Sequence, residues 1–209
     1  MVVTEIKKQA NSSRYSIFVD DEYAFSLIME DILFFRIKVG QEIPEDKFRY
    51  ISDTTLYIRA QETAIGYISN RVKTEKQVYE YLKRRDYSDE VAQRVVEFLK
   101  KYKYVDDEEY CKLYIAESKR LKPKGERLLA MELRQKGIAD EIIRKVLGEE
   151  ELDESEGAYQ LLAKKIGNRQ MDDTLKRRSI AFLMRRGYSY EIIRSAFRRI
   201  EEELPEEGG

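Results

Sequence analysis

The chain contains no histidine and no tryptophan, a single cysteine and only three prolines among its 209 residues. Each scarcity excludes something. Without histidine, the commonest general base and metal ligand is missing. One cysteine cannot form an internal disulfide, which fits a reducing compartment. The ten glycines never gather into a dinucleotide loop, and no G-x-x-x-x-G-K-[ST] phosphate loop occurs. The acid runs Glu149–Glu151 and Glu201–Glu203 lack the spaced oxygen ligands and the glycine of a calcium loop, and read as solvated linker and tail. No apolar run approaches the length that crosses a bilayer, and "MVVTEIKKQANSSRY" turns polar too soon for a signal peptide. The expectation is a cytoplasmic, non-enzymatic protein with no catalytic residue, no cofactor and no metal.

What is abundant is charge, at 38% of residues, together with 15 tyrosines. The net charge of −1 hides a segregation. Lys112 to Lys136 carries eight basic and three acidic side chains, and Lys164 to Arg186 eight and two. Between them, Glu149 to Glu156 has six acids and no base, and Glu201 to Glu207 has five more. Such blocks make either a basic face on a near-neutral protein or ordinary solvated helix faces.

The first forty residues read as β-structure. "VVTEIKK" is β-branched and alternating, and "RYSIFVDDEYAFSLI" predicts a hairpin of Tyr15–Val19 and Tyr23–Leu27 about Asp20-Asp21-Glu22. Ile17, Val19, Tyr23 and Phe25 alternate on its two arms. A short helix is expected over Glu30–Phe35, Gly40 ends that unit, and Pro44-Glu45-Asp46 opens a weaker helical stretch to about Leu56.

Beyond residue 60 the chain repeats. Ala64, Cys111 and Ala158 each precede a bulky pair and are spaced by 47. The corners "RRDYSDEVA", "QKGIADEII" and "RRGYSYEII" begin at Arg84, Gln135 and Arg185, spaced by 51 and 50. Two landmarks at nearly one period mark a tandem array. Each repeat divides into three helices: first helices at 60–70, 106–121 and 153–166, second at 74–85, 124–136 and 172–186, third at 88–102, 139–148 and 189–203. The expected fold is mainly α, three three-helix repeats in a curved, elongated array behind a small β-hairpin region. The divisions are 1–58, 59–105, 106–150 and 151–204, followed by a flexible acidic tail at 205–209.

At each corner, Gly137 and Gly187 suit the left-handed position after a helix, and Asp86 tolerates it at a cost. Ser88 and Ser189 are candidate caps for the next helix, while Ala139 cannot cap and Asp140 is expected to stand in. Cations at a helix C-terminus interact favourably with its dipole, but one would meet most of that need. The doubled Arg84-Arg85 and Arg185-Arg186, with Lys136 in the middle corner, therefore remain contact candidates. Lys122, Lys124, Arg120 and Arg127 crowd one helix junction, and Lys176, Arg177 and Arg178 lie two turns before Arg185. These clusters suit phosphates or an acidic protein groove. No base-reading or stacking signature accompanies them.

The segments "YLKRRDYSDEVAQRVVEFL", "YVDDEEYCKLYI", "LKPKGERLLAMELRQKGIADEIIRKVL" and "FLMRRGYSYEIIRSAF" together resemble the RecX regulatory family over residues 60–203. The K-x-x-G at Lys122–Gly125, the L-x-x-K-G turn at Leu133–Gly137 and the closing R-R-G-Y-S carry the likeness. Asp86 departs from the usual glycine and Ala139 from the usual serine. The N-terminal hairpin region is similar to the extension on longer members. This resemblance implies a non-catalytic, usually inhibitory modulator of the RecA recombinase. Such a protein binds RecA and its filament on single-stranded DNA, acts without a membrane, and is expected to be a monomer with weak direct DNA contact. The alternatives are a nonspecific nucleic-acid-binding helical module or a helical interaction scaffold.

Overall fold

The computed structural model describes residues 1–10, 12–150, 152–167 and 169–203. The expected acidic tail at 205–209 lies outside the described residues. Two compact units divide the chain, Met1–Val105 and Asp106–Gly209.

The first unit opens with an antiparallel sheet of β1 (Val3–Lys8), β2 (Arg14–Val19) and β3 (Glu22–Ile28), in that order. Asp20 and Asp21 form the β2–β3 turn with φ of 49° and 68°. Two consecutive positive φ values are what a tight hairpin turn requires, and aspartate bears them better than most residues. Register places Ile17 opposite Phe25 and Tyr15 opposite Leu27. Alternation then sends Val3, Ile17, Val19, Phe25 and Leu27 into one core with Ile32, Ile37, Ile43 and Ile51. Tyr23 departs from the expected inward alternation. It is exposed beside the irregularity between Ile17 and Phe18, and its hydroxyl meets Ser26 Oγ at 2.9 Å.

A short helix α1 (Met29–Phe34) follows, and Gly40 turns the chain at φ 81°. From Pro44 the helical path is longer than the sequence suggests. It comprises α2 (Glu45–Tyr50), one π-helical turn (Ile51–Thr55) and α3 (Leu56–Ile68) without a break. Ser52–Thr55 lies within the helical stretch expected to about Leu56 and contains no glycine or proline to stop it there. The wide turn lets one rod serve two cores, with Ile51 in that of the sheet and Ala60 and Ala64 in that of the first repeat. The first repeat's leading helix therefore starts at Leu56, not residue 60, and passes through the expected boundary at 58–59.

Helices α4 (Glu75–Lys83) and α5 (Asp89–Lys101) complete that repeat around Val78, Leu82, Val91, Val95 and Leu99. Thr74 caps α4 reciprocally with Gln77, each side chain bonding the other's backbone N–H at 3.2 Å. The second unit holds α6 (Asp107–Leu121), α7 (Glu126–Gln135) and α8 (Asp140–Glu149), then α9 (Glu154–Ile166), α10 (Asp173–Arg185) and α11 (Tyr190–Glu203). Its two cores centre on Ile115, Leu129, Leu133 and Ile143, and on Leu162, Leu183, Ile193 and Phe197. The three small residues at the 47-residue spacing, Ala64, Cys111 and Ala158, are all fully buried at equivalent places. Among the described residues, no helix is long and apolar enough to cross a membrane.

Candidate functional site

The recurring corner is built as its chemistry requires. Asp86, Gly137 and Gly187 all adopt positive φ, at 59°, 92° and 89°. Ser88 Oγ accepts from Val91 N at 3.2 Å and Ser189 Oγ from Ile192 N at 3.3 Å. Asp140 does not replace a cap at Ala139. Its carboxylate reaches back to Arg134 Nε at 2.5 Å, and α8 starts with no side-chain cap.

The doubled cations divide into two roles. The guanidinium of Arg85 lies 3.6 Å over Tyr81, which stacks on Tyr67 at 3.7 Å, with Lys73 Nζ 4.8 Å over the outer ring. Arg186 lies 5.3 Å from Phe182, and Lys136 faces Tyr110 and Tyr114 at 5.8 and 5.2 Å. The second cation of each corner is thus placed by aromatic rings, a contact favourable by electrostatics with the ring face. Arg84 and Arg185 are exposed, with no ion pair or ring contact among the described residues. An aromatic four residues before the second cation, in "YLKRR" and "FLMRR", is the sequence signal for this division.

In the second unit the two most distinctive motifs meet. Gly125 N donates to the carbonyl of Arg186 at 2.8 Å. A Cβ on Gly125 would stand 2.5 Å from the carbonyl carbon and oxygen of Gly187, and one on Gly187 would stand 2.6 Å from Leu128. K-x-x-G and R-R-G-Y-S are therefore two sides of one joint between the second and third repeats. The acidic linker contributes as well, correcting its reading as merely solvated. Glu154 Oε1 accepts from Glu126 N at 2.8 Å, capping α7 where Gly125 offers no side chain. Glu150 pairs with Lys119 at 2.7 Å and Glu156 with Arg199 at 2.6 Å.

This joint brings the Lys122–Arg127 segment against the Arg185-Arg186 corner. Arg120, Lys122, Arg127, Arg177, Arg178 and Arg185 are exposed and have no carboxylate partner among the described residues. Arg178 and Arg185, seven residues apart on α10, lie on one helix face. Two further candidates are held by neighbours. Lys124 Nζ is 2.6 Å from Glu132 Oε2 and 3.2 Å from the Tyr114 hydroxyl. Desolvation works against its charge, yet those two bonds together hold its pKa above the usual lysine value. Lys176 lies 3.8 Å from Glu201 and 5.7 Å from the Phe197 ring.

Cys111 offers no nucleophile. Burial, reinforced by Asp107 and Glu108, pushes its thiol up to about 11. Because it is the only cysteine, the consequence is directly measurable. At pH 8 the native protein is expected to resist an aromatic disulfide reagent and to release one equivalent of thiol on denaturation. Rapid native labelling would mean that this buried slot opens. Among the described residues, no group of three or more histidine, cysteine or acidic side chains is arranged to hold a metal ion.

The chain matches four family models. "Regulatory protein RecX N-terminal domain" covers residues 1–44, and the first, second and third three-helix domains of RecX cover 60–99, 106–147 and 153–197. The likeness thus includes the N-terminal region. Regulatory protein RecX of Clostridium botulinum (strain Alaska E43 / Type E3) is 33% identical over 195 residues, covering 91% of each chain. The Clostridium tetani protein of the same name is 31% identical over 204 residues, 95% of this chain and 94% of its own. That of Bacillus subtilis is 31% identical over 210 residues, covering 98% of this chain and 79% of its own. A crystal structure of regulatory protein RecX superposes with a TM-score of 0.66 at 24% identity, over 97% of this chain and 99% of that one. RecX from Lactobacillus salivarius gives 0.64 at 20% identity, over 71% and 98%. At those identities the structures speak for the fold.

Proposed function

The chain belongs to the RecX family of regulatory proteins, and from that premise we propose that it binds the RecA recombinase and its filament on single-stranded DNA. In this reading it acts in the cytoplasm, without catalysis of its own, as a monomer that mostly inhibits strand exchange and filament ATP hydrolysis. It thereby tunes DNA repair and the SOS response. The proposed divisions are 1–58, 59–105, 106–150 and 151–204, with α3 running unbroken across the first of these boundaries.

The observation that carries the reading is the joint at Gly125 and Gly187, where two backbone segments flanked by exposed cations without carboxylate partners among the described residues meet. Such a surface suits the phosphates of a coated strand or an acidic groove of the coat. Lys122, Arg127, Arg178 and Arg185 are its leading contacts and Arg120 and Arg177 further ones; Arg84 is a separate candidate in the first unit. Arg186, Lys124, Lys136 and Lys176 act mainly by holding that surface in shape, while Arg85 is held on Tyr81 in the first unit.

Filament ATP hydrolysis and strand exchange measured with and without stoichiometric protein test the proposal. A clear reduction is expected, and unchanged rates would end it. Titration of free single-stranded DNA across salt concentrations addresses the nucleic-acid-module alternative. Tight, steeply salt-dependent binding without RecA would favour that alternative.

A further inference from the structure

A second basic cluster lies in the first unit. A cavity of about 280 Å³ opens where the start of β2, the end of β3, α3 and the α4–α5 corner come together. Three arginines line it, Arg14, Arg59 and Arg85, with two acids, Asp31 and Glu62. Both acids are bound by one cation, Arg59, so these three side chains together keep one negative charge. Arg59 grips Asp31 through two bonds of 2.9 and 3.1 Å and reaches Glu62 at 3.0 Å. That leaves two guanidiniums with no carboxylate among the described residues.

Both are held in place by other means. Arg14 donates to the Ser26 carbonyl at 2.6 Å and lies 4.2 Å over the Tyr87 ring, while its Nε is buried with no acceptor. A buried charged N–H without a partner is costly, and natural structures fill such vacancies with protein, water or ligand. Arg85 is fixed on Tyr81. The acid next to it in sequence, Asp86, is engaged by the side-chain amide of Gln9 at 2.9 Å. Beside the arginines is the Ser13 hydroxyl, exposed and without a protein partner among the described residues.

We infer that this cavity is a phosphate-binding site, in which Arg14 and Arg85 supply the charge and Ser13 a hydroxyl. Three arginines against two acids leave the lining with an excess of one positive charge, and the planar donor forks of two arginines match the several oxygens of a phosphate better than the two of a carboxylate. The cavity is small for a large organic ligand and ample for a phosphate with part of an attached sugar. The site requires neither recombinase nor filament, so it stands or falls apart from the function proposed above.

Backbone amide spectra of the full chain, recorded while adding inorganic phosphate, test it. Saturable shifts at Ser13, Ser26 and Thr63 are expected, weakened roughly tenfold or more in Arg85→Gln, which removes a charged donor from an exposed position. Arg14→Lys should retain charge but lose the forked geometry and bind more weakly; Arg85→Gln keeps the test valid if that variant fails to fold. Thymidine 5′-monophosphate and a thymidine dinucleotide lacking a terminal phosphate separate a monoester source from a strand backbone. Preference for the monoester is expected, and saturation by the dinucleotide alone would relocate the source to the backbone within the same chemistry. Acetate binding as well as phosphate, shifts scattered over the surface, or shifts unchanged in Arg85→Gln would overturn the assignment.

Discussion

Gly125→Ala is expected to lower the melting temperature of the second unit by roughly 10–20 °C. The new methyl would lie 2.5 Å from the Gly187 carbonyl carbon and oxygen and 2.7 Å from Tyr188 N, all backbone atoms that no side-chain rotation can clear. Overpacking of this kind costs about 1–3 kcal/mol. Separating the repeats would also strain the 2.8 Å bond to the Arg186 carbonyl, adding about 0.5–1.5 kcal/mol. For a unit of this size each kcal/mol moves the midpoint by about 4–8 °C. Gly187→Ala faces the same joint from the other side, with Leu128 at 2.6 Å and a φ of 89° that a side chain resists. Because both variants strain one contact, the double variant should lose less than the two separate losses added together. Gly148→Ala is the control in the same unit. It has nothing within 4 Å, lies in α8, and is expected to gain about 0.5–1 kcal/mol from helix propensity. Calorimetry of the four variants decides the matter, and a Gly125→Ala midpoint equal to wild type would mean the joint is not closely packed.

The joint was hard to see from the sequence, although both of its motifs were conspicuous there. Capping and turn chemistry is local, so the corners at Arg84, Gln135 and Arg185 could be recognised from consecutive residues, and their period revealed the array. Which corner faces which loop depends on the angles at which helices pack, and no local pattern encodes that. Gly125 consequently read only as the end of the K-x-x-G segment, when its essential property is the missing Cβ against Gly187. The bond from Lys124 to Glu132 was hidden for a related reason. Lys124 precedes α7, so the eight-residue separation matches no within-helix pairing. The helical stretch to about Leu56 was legible, but its unbroken continuation into the first repeat was not, because it depends on packing one rod against two cores. Sheet alternation was legible throughout except at Tyr23, where the pairing irregularity and an exposed edge altered the pattern.

The division of labour within the arginine pairs yields the second large effect. Arg178→Glu combined with Arg185→Glu is expected to weaken binding to the RecA–DNA filament by at least roughly 100-fold, since each charge-assisted contact is worth about 1.5–3 kcal/mol. Both side chains are exposed and lack carboxylate partners among the described residues, so the helical spectrum and melting midpoint should stay near wild type. Arg186→Glu should behave differently. It removes a cation from beside Phe182 at the C-terminal end of α10 and places a negative charge where the helix dipole is already negative. Its main expected effect is a lower midpoint, of the order of 1 kcal/mol, with a smaller loss of affinity. If phosphates are the target, the double reversal should also flatten the dependence of log affinity on log salt by about 0.7 for each lost contact. If an acidic groove of the protein coat is the target, affinity should fall while free single-stranded DNA binding is unchanged. Full affinity in the double variant would leave the exposed arginines without a role in recognition, and the joint they border would then serve the fold alone.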